Sequence, residues 1–159
     1  MKVFFAVLLT ILLPSVAVLA SPPAASPLIG SWAVDIARLP VPPQARPKSV
    51  TFTFSEPSDG LLKMQVHIVG PDGSESHSVA TANLDGAPVP VIGSMEADVA
   101  AVKMPAPNVL VLMLAKEKAP ASTRIFTVSA DGKTMIETAA YFGPEGRPLM
   151  RTNHFSRIQ

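Results

Sequence analysis

No cysteine occurs in the chain. That excludes disulfides and thiolate chemistry, and it excludes the lipid-anchored kind of bacterial secretory protein, which needs a cysteine at its cleavage point. Aromatic residues are scarce, at 6% of the sequence with a single Trp and a single Tyr, so each large ring has to be accounted for individually. A surplus of charge is missing too, since 13 Lys and Arg stand against 12 Asp and Glu. Without such a surplus there is no electrostatic reason to expect nucleic acid or an anionic membrane as a partner. The sequence also has no Gly-x-Ser-x-Gly elbow, phosphate loop, His-Glu-x-x-His or Gly-x-Gly-x-x-Gly, which removes the common signatures of catalysis and cofactor binding. Beyond the first twenty residues no window keeps a helical period, and no helix-turn-helix pattern occurs.

What is present begins with an address. Residues 1–20 (MKVFFAVLLTILLPSVAVLA) have one early positive charge at Lys2, an apolar run from Val3 to Leu13, Pro14, and small residues up to Ala20. That is the layout of a secretory signal, with Val18 and Ala20 placed before the cut; cleavage after Ala17 or Ala25 is the alternative. A membrane anchor is the rival reading, but the unbroken apolar run is about half of the roughly 20 residues a spanning helix needs. The expectation is a periplasmic or secreted protein that begins near Ser21 and keeps no stable membrane anchor. Removing Lys2 leaves equal numbers of basic and acidic side chains. Residues 21–27, rich in Pro and Ala, read as a tether, and 28–159 as one domain large enough to build a core without covalent staples.

Punctuation sets the architecture of that domain. Asp-Gly pairs occur at Asp59-Gly60, Asp72-Gly73, Asp85-Gly86 and Asp131-Gly132, with Glu145-Gly146 after them, and PAPN (105–108) and EKAPA (117–121) break the interval between. Asp-Gly favours tight turns because glycine accepts positive φ at no steric cost. Between the breaks apolar and polar residues alternate: Val50, Phe52 and Phe54 against Thr51, Thr53 and Ser55, then Leu62, Met64, Val66 and Ile68 against Lys63, Gln65 and His67. Alternation predicts half-buried strands. Residues 109–115 (VLVLMLA) are apolar throughout and predict a strand covered on both sides. The count is a short strand at Trp32 and eight more near 49–56, 61–69, 75–84, 96–104, 108–116, 122–129, 134–142 and 148–157. A meander of eight to nine antiparallel strands hides its edges best by closing into an all-β, up-and-down barrel; a two-sheet sandwich is the alternative.

At the start of that series stands Gly30-Ser31-Trp32. It resembles the Gly-x-Trp motif of the lipocalins and their calycin relatives. The resemblance implies a Trp that plugs the closed end of a barrel, with an Arg from near the last strand across its ring, a role open to Arg151 or Arg157. A wider resemblance runs through GSWAVDIAR, a proline-containing link, DGLLKMQVHIVGPDG, ATANLDGAPVPVIGS, SADGKTM and GPEGRPLMRTNHFSR. This order is similar to that of small secreted bacterial lipocalin-like proteins. Their pattern more often has an aromatic before the mid-chain Asp-Gly and a Lys after it, where this chain has LDGAPVPVIGS. The resemblance implies a fold and export, and no activity.

Candidate chemistry is thin. His67, His77 and His154 fall on separate expected strands with no carboxylate or second His at ligand spacing; Glu75 and His77 share a strand face, which makes two potential ligands and not a site. No metal and no cofactor is expected. Glu96 and Asp98 flank a turn and read as solvated side chains, and residues 38–48 (RLPVPPQARPK) read as a lid or connector. Six methionines follow the signal, which suits a core or an adaptable apolar pocket. The apolar side chains expected inside the barrel, and so against any ligand, are Phe52, Phe54, Met64, Met113, Phe126 and Tyr141. The leading expectation is an exported, non-enzymatic lipocalin-like protein that holds a small hydrophobic ligand in the cell envelope. The alternative is a protein-binding module, such as an exported inhibitor or immunity protein with an envelope partner; an enzyme of unrecognised type stands third.

Overall fold

A computed structural model describes residues 26–58 and 60–159. The expected signal, most of the tether and Asp59 lie outside the described residues. The fold is all-β. The ten strands among the described residues are β1 (Gly30–Val34), β2 (Ser49–Ser55), β3 (Leu61–Val69), β4 (Glu75–Asn83), β5 (Asp85–Pro90), β6 (Val99–Ala106), β7 (Val109–Lys116), β8 (Ala119–Val128), β9 (Thr134–Phe142) and β10 (Pro148–Arg157). Single turns of 3-10 helix occupy Ile36–Arg38, Pro43–Ala45 and Pro144–Gly146. Every pairing is antiparallel, in the order β4-β3-β2-β1-β10-β9-β8-β7-β6-β5. The sheet wraps into a nearly closed up-and-down barrel whose last gap, between β4 and β5, is crossed by one bridge, Val79 to Ile92, with both backbone hydrogen bonds at 2.9 Å. Among the described residues no helix is long and apolar enough to cross a membrane.

Alternation becomes burial as the period of two requires. Phe52 and Phe54 of β2 and Leu62 and Met64 of β3 point inward, while Thr51, Thr53 and Lys63 between them stay partly in water. Asp-Gly pairs at Asp72-Gly73 and Asp131-Gly132 make hairpin turns with glycine φ of 88° and 69°. Each aspartate also accepts from a backbone N–H two residues on, Ser74 at 3.0 Å and Lys133 at 3.0 Å. Hydroxyl donors from Ser74 and Ser129, together with those backbone donors, hold the Asp72 and Asp131 carboxyls below the usual carboxylate range.

Five features differ from expectation. The strands among the described residues number ten, because β5 is a strand of its own. Asp85-Gly86 opens β5 instead of ending a hairpin: the chain reverses at Leu84, and Gly86 falls where the register with β6 shifts. Pro88 and Pro90 are tolerated there since β5 is laddered only to β6, and an edge strand can spare N–H donors. β6 starts at Val99, after a turn in which Ser94 Oγ accepts from Glu96 and Ala97 N–H. β8 starts at Ala119, because Glu117 and Lys118 take positive φ, 51° and 68°, in a two-residue turn. Finally, β7 is covered on one side only. Leu110, Leu112 and Leu114 are buried, whereas Met113 stands 57% exposed on the outer wall. A single barrel has no second layer to cover that face, so the expectation of Met113 in the interior is corrected.

The closed end explains the Gly-x-Trp sequence. Trp32 is fully buried and donates its indole N–H to Leu28 C=O at 2.8 Å. Of the two arginine candidates, Arg157 is the one across its ring, with Cζ 4.2 Å from the centroid. Arg157 also donates to the carbonyls of Gly132 (2.6 Å), Ile29 (2.7 Å) and Pro27, which fixes the guanidinium over the indole. Gly30 is required by this clasp: its φ is 134°, and a Cβ there would collide with Arg157 Nη1 and with Gln159 O. β1 is held by both neighbours, with Trp32 opposite Phe52 on one side and Arg157 on the other.

Candidate functional site

Above the tryptophan plug, four rings fill the middle of the barrel. Phe52 packs edge-on against Phe155 at 5.2 Å between centroids, and Phe126 meets Phe54 at 5.7 Å. Beyond these rings the interior is not filled. A cavity of about 450 Å³ remains, walled by Phe52, Phe54, Met64, Val66, Leu112, Leu114, Phe126 and Phe155. Leu39, Pro40, Val41, Ala45 and Pro47, from the proline-rich link between β1 and β2, line it as well, so that link serves as a lid. Three prolines in the LPVPP stretch of the lid fix φ and spare it donors that would otherwise need partners.

One side of this apolar space is polar. Arg124 of β8 and Glu137 of β9 both face inward and are buried, at 6% and 1% exposure. Arg124 Nη1 donates to Glu137 Oε1 at 3.1 Å, its Nε donates to Ser122 Oγ at 3.2 Å, and its Nη2 bonds Glu96. Asn153 of β10 donates through Nδ2 to Glu137 Oε2 at 2.5 Å. Buried charges need such partners, because desolvation alone would neutralise or expel them. Arg151, two residues before Asn153 on the same inward face, completes the polar wall. Among the described residues, Arg151 Nε and Asn153 Oδ1 are buried side-chain polar atoms without a hydrogen-bond partner. Both residues line the cavity through other parts of their side chains.

Phe52, Phe54, Met64 and Phe126 take the expected places on this wall. Met113 does not. Tyr141 faces inward on β9 but is not part of the cavity surface; it lies under Arg151, whose Cζ is 5.8 Å from the ring centroid. Arg151 thus belongs to the cavity and not to the Trp32 plug. Glu96, expected to be free in solvent, is half exposed but tied to Arg124. The methionines divide, with Met64 and Met135 buried and Met95, Met113 and Met150 exposed. His67 and His77, expected to be apart, are direct partners in the β3–β4 ladder.

Plug, rings, cavity and lid together define a barrel with one closed end and one pocketed end. No family model matches the chain, and no curated protein matches its sequence.

Proposed function

We propose that this is an exported, non-enzymatic, lipocalin-like protein that holds a small molecule, apolar along most of its length and polar at one end, within the cell envelope. The observation that carries the reading is the cavity. Its volume of about 450 Å³ falls in the range of small-molecule pockets, which are mostly apolar with a few placed polar groups. Phenylalanine rings and the lid would take the apolar body. Arg151 and Asn153, on the polar side of the wall, would take an end group that both accepts and donates, such as a carboxylic acid or an amide. Among the described residues the wall sets no nucleophile beside a base, and its surface is mostly apolar, which favours binding over catalysis. Export rests on residues 1–20, whose layout is that of a signal.

The test is native mass spectrometry of protein recovered from the envelope fraction, followed by solvent extraction. A bound small molecule is expected, on a chain that begins near Ser21. Val66→Trp, which fills the cavity from its wall, should abolish it, and Arg151→Met should weaken it. An empty wild-type barrel that also takes up no apolar fluorescent probe would overturn the reading. A protein-binding module is the second reading, favoured by one observation: Met113, Ile125 and Ile136 are exposed on the outer faces of the neighbouring strands β7, β8 and β9. It predicts that Ile125→Glu removes a captured envelope protein while the cavity ligand stays.

A further inference from the structure

The outer wall of the β3–β4 hairpin carries a grouping that neither the cavity nor the plug uses. β3 sends Leu62 and Met64 to the core, which turns His67 outward; β4 buries Ala80 and Ala82, which turns Glu75 and His77 outward. The ladder sets His67 directly opposite His77, with Glu75 two residues along the same face. A tight turn pins this register: Gly70 N–H donates to Ser74 C=O at 2.7 Å, and Asp72 accepts from the Ser74 hydroxyl at 2.6 Å. Three side chains of metal-ligating type thus converge on a rigid hairpin, with one ligand atom of each within 4.8 Å of the others.

The distances suit a single ion. His67 Nε2 and His77 Nε2 lie 3.1 and 3.5 Å from the same oxygen, Glu75 Oε2. Tetrahedral bonds of about 2.0–2.1 Å separate neighbouring ligand atoms by roughly 3.3 Å, so both nitrogen–oxygen edges are already at ligand spacing. The two rings are stacked, 4.1 Å between centroids and 8° from parallel. An ion lying in both ring planes requires one ring to turn, and imidazole χ2 is a broad, soft torsion. Both side chains reach water, at 39% and 66% exposure, so each has a solvent side into which it can turn. A groove lined by Thr51, Thr53 and Gln65 flanks the histidines and leaves space for water ligands.

We propose that His67, Glu75 and His77 form a surface site for a divalent transition ion of the zinc and copper class, with water in the remaining positions. Two imidazole nitrogens and one carboxylate make a borderline donor set; Ca²⁺ and Mg²⁺ are held by sets of oxygen ligands, of which this triad offers only the Glu75 carboxylate. The site lies outside the barrel and does not depend on whether the cavity holds a ligand.

Calorimetric titration of the intact protein, purified without a histidine tag, with ZnCl₂ and with CuSO₄ tests it. One equivalent of either ion should bind, with no heat from MgCl₂ or CaCl₂. Loss of even an indirect partner of a metal commonly weakens binding about 10–100-fold, so His67→Gln, His77→Gln and Glu75→Gln should each weaken it at least about ten-fold. His154→Gln, on β10, should change nothing, and circular dichroism should be the same for all variants because these side chains are exposed. Zinc and copper arms distinguish which ion the site prefers; binding of either supports it. Wild-type protein that binds neither ion better than the His67→Gln/His77→Gln double variant would overturn the proposal and leave a hydrogen-bonded surface cluster.

Discussion

Replacing Glu137 by Leu tests whether the polar wall of the cavity is coupled as its geometry implies. Glu137 is 1% exposed and accepts from Arg124 at 3.1 Å and from Asn153 at 2.5 Å. The substitution would leave a buried guanidinium whose remaining carboxylate, Glu96, is 54% exposed. Breaking a buried ion pair from one side costs about 3–5 kcal/mol, and the partial rescue by Glu96 places the loss near the lower end. Stranding the Asn153 donor adds about 1 kcal/mol. The expected total is roughly 3–4 kcal/mol, a large part of the usual stability of about 5–15 kcal/mol. At about 2.1 cal/mol/K per residue for the unfolding entropy, a domain of this size should melt about 10–15 °C lower. Urea unfolding at pH 7 measures the loss, with Trp32 fluorescence as reporter, since the plug is remote from the substitution. The decisive variant is Arg124→Met/Glu137→Leu, which removes both charges and should be more stable than Glu137→Leu alone. A Glu137→Leu change within about 1 kcal/mol of wild type, or a double variant equal to the sum of the singles, would refute the coupling.

Arg157→Met should red-shift Trp32 emission and lower stability, with about 0.5–2 kcal/mol from the lost ring contact alone; Arg151→Met should leave the emission unchanged. Met113→Glu should lie within about 0.5 kcal/mol of wild type in urea unfolding, as exposed positions do, whereas the same change at the buried Phe126 should prevent folding. The turn carboxylates predict a pH dependence. Asp72 and Asp131 are held below their ordinary value of 3.8 in the fold, so their contribution is complete above pH 3.8 and fades as the pH falls through the lower folded values. Asp131→Asn should therefore melt below wild type at pH 7, and the difference should shrink in strong acid.

Much of the fold is legible residue by residue. Phe52 and Phe54 against Thr51 and Thr53 fix the inward face of β2, and Asp72-Gly73 and Asp131-Gly132 mark turns by composition alone. β5 is not legible, since Pro88 and Pro90 argue against a strand until it is known to lie at the barrel's gap. The break at 117–121 is legible from its proline and charges, but its tight form at Glu117-Lys118 is not, because neither residue prefers positive φ. For the site, the signal lay in phase. Ser122 and Arg124 share the face of Phe126, and Glu137 shares that of Met135. On one strand such a residue only interrupts an apolar pattern. It becomes a partner when register sets Glu137 opposite Asn153 and brings Arg124 alongside. Register also hid the histidines: the separation between His67 and His77 means nothing until the Gly70 to Ser74 turn places them face to face.

The gap in the barrel has a consequence for how the chain could be rewired. The sheet breaks between β4 and β5, which Leu84 joins covalently, whereas the strands nearest the two ends of the described chain, β1 and β10, are fully laddered. A circular permutant with Gln159 linked to Ser26 and a new start at Asp85 would read β5 to β10 and then β1 to β4. Every ladder would then join strands consecutive in sequence, and the pairing of Trp32 with Arg157 would change from one between opposite ends of the described chain to a hairpin across the linker. Mean sequence separation sets folding speed in small domains. The permutant should fold faster than the natural order, while the Val79–Ile92 bridge, its one remaining long-range closure, forms last.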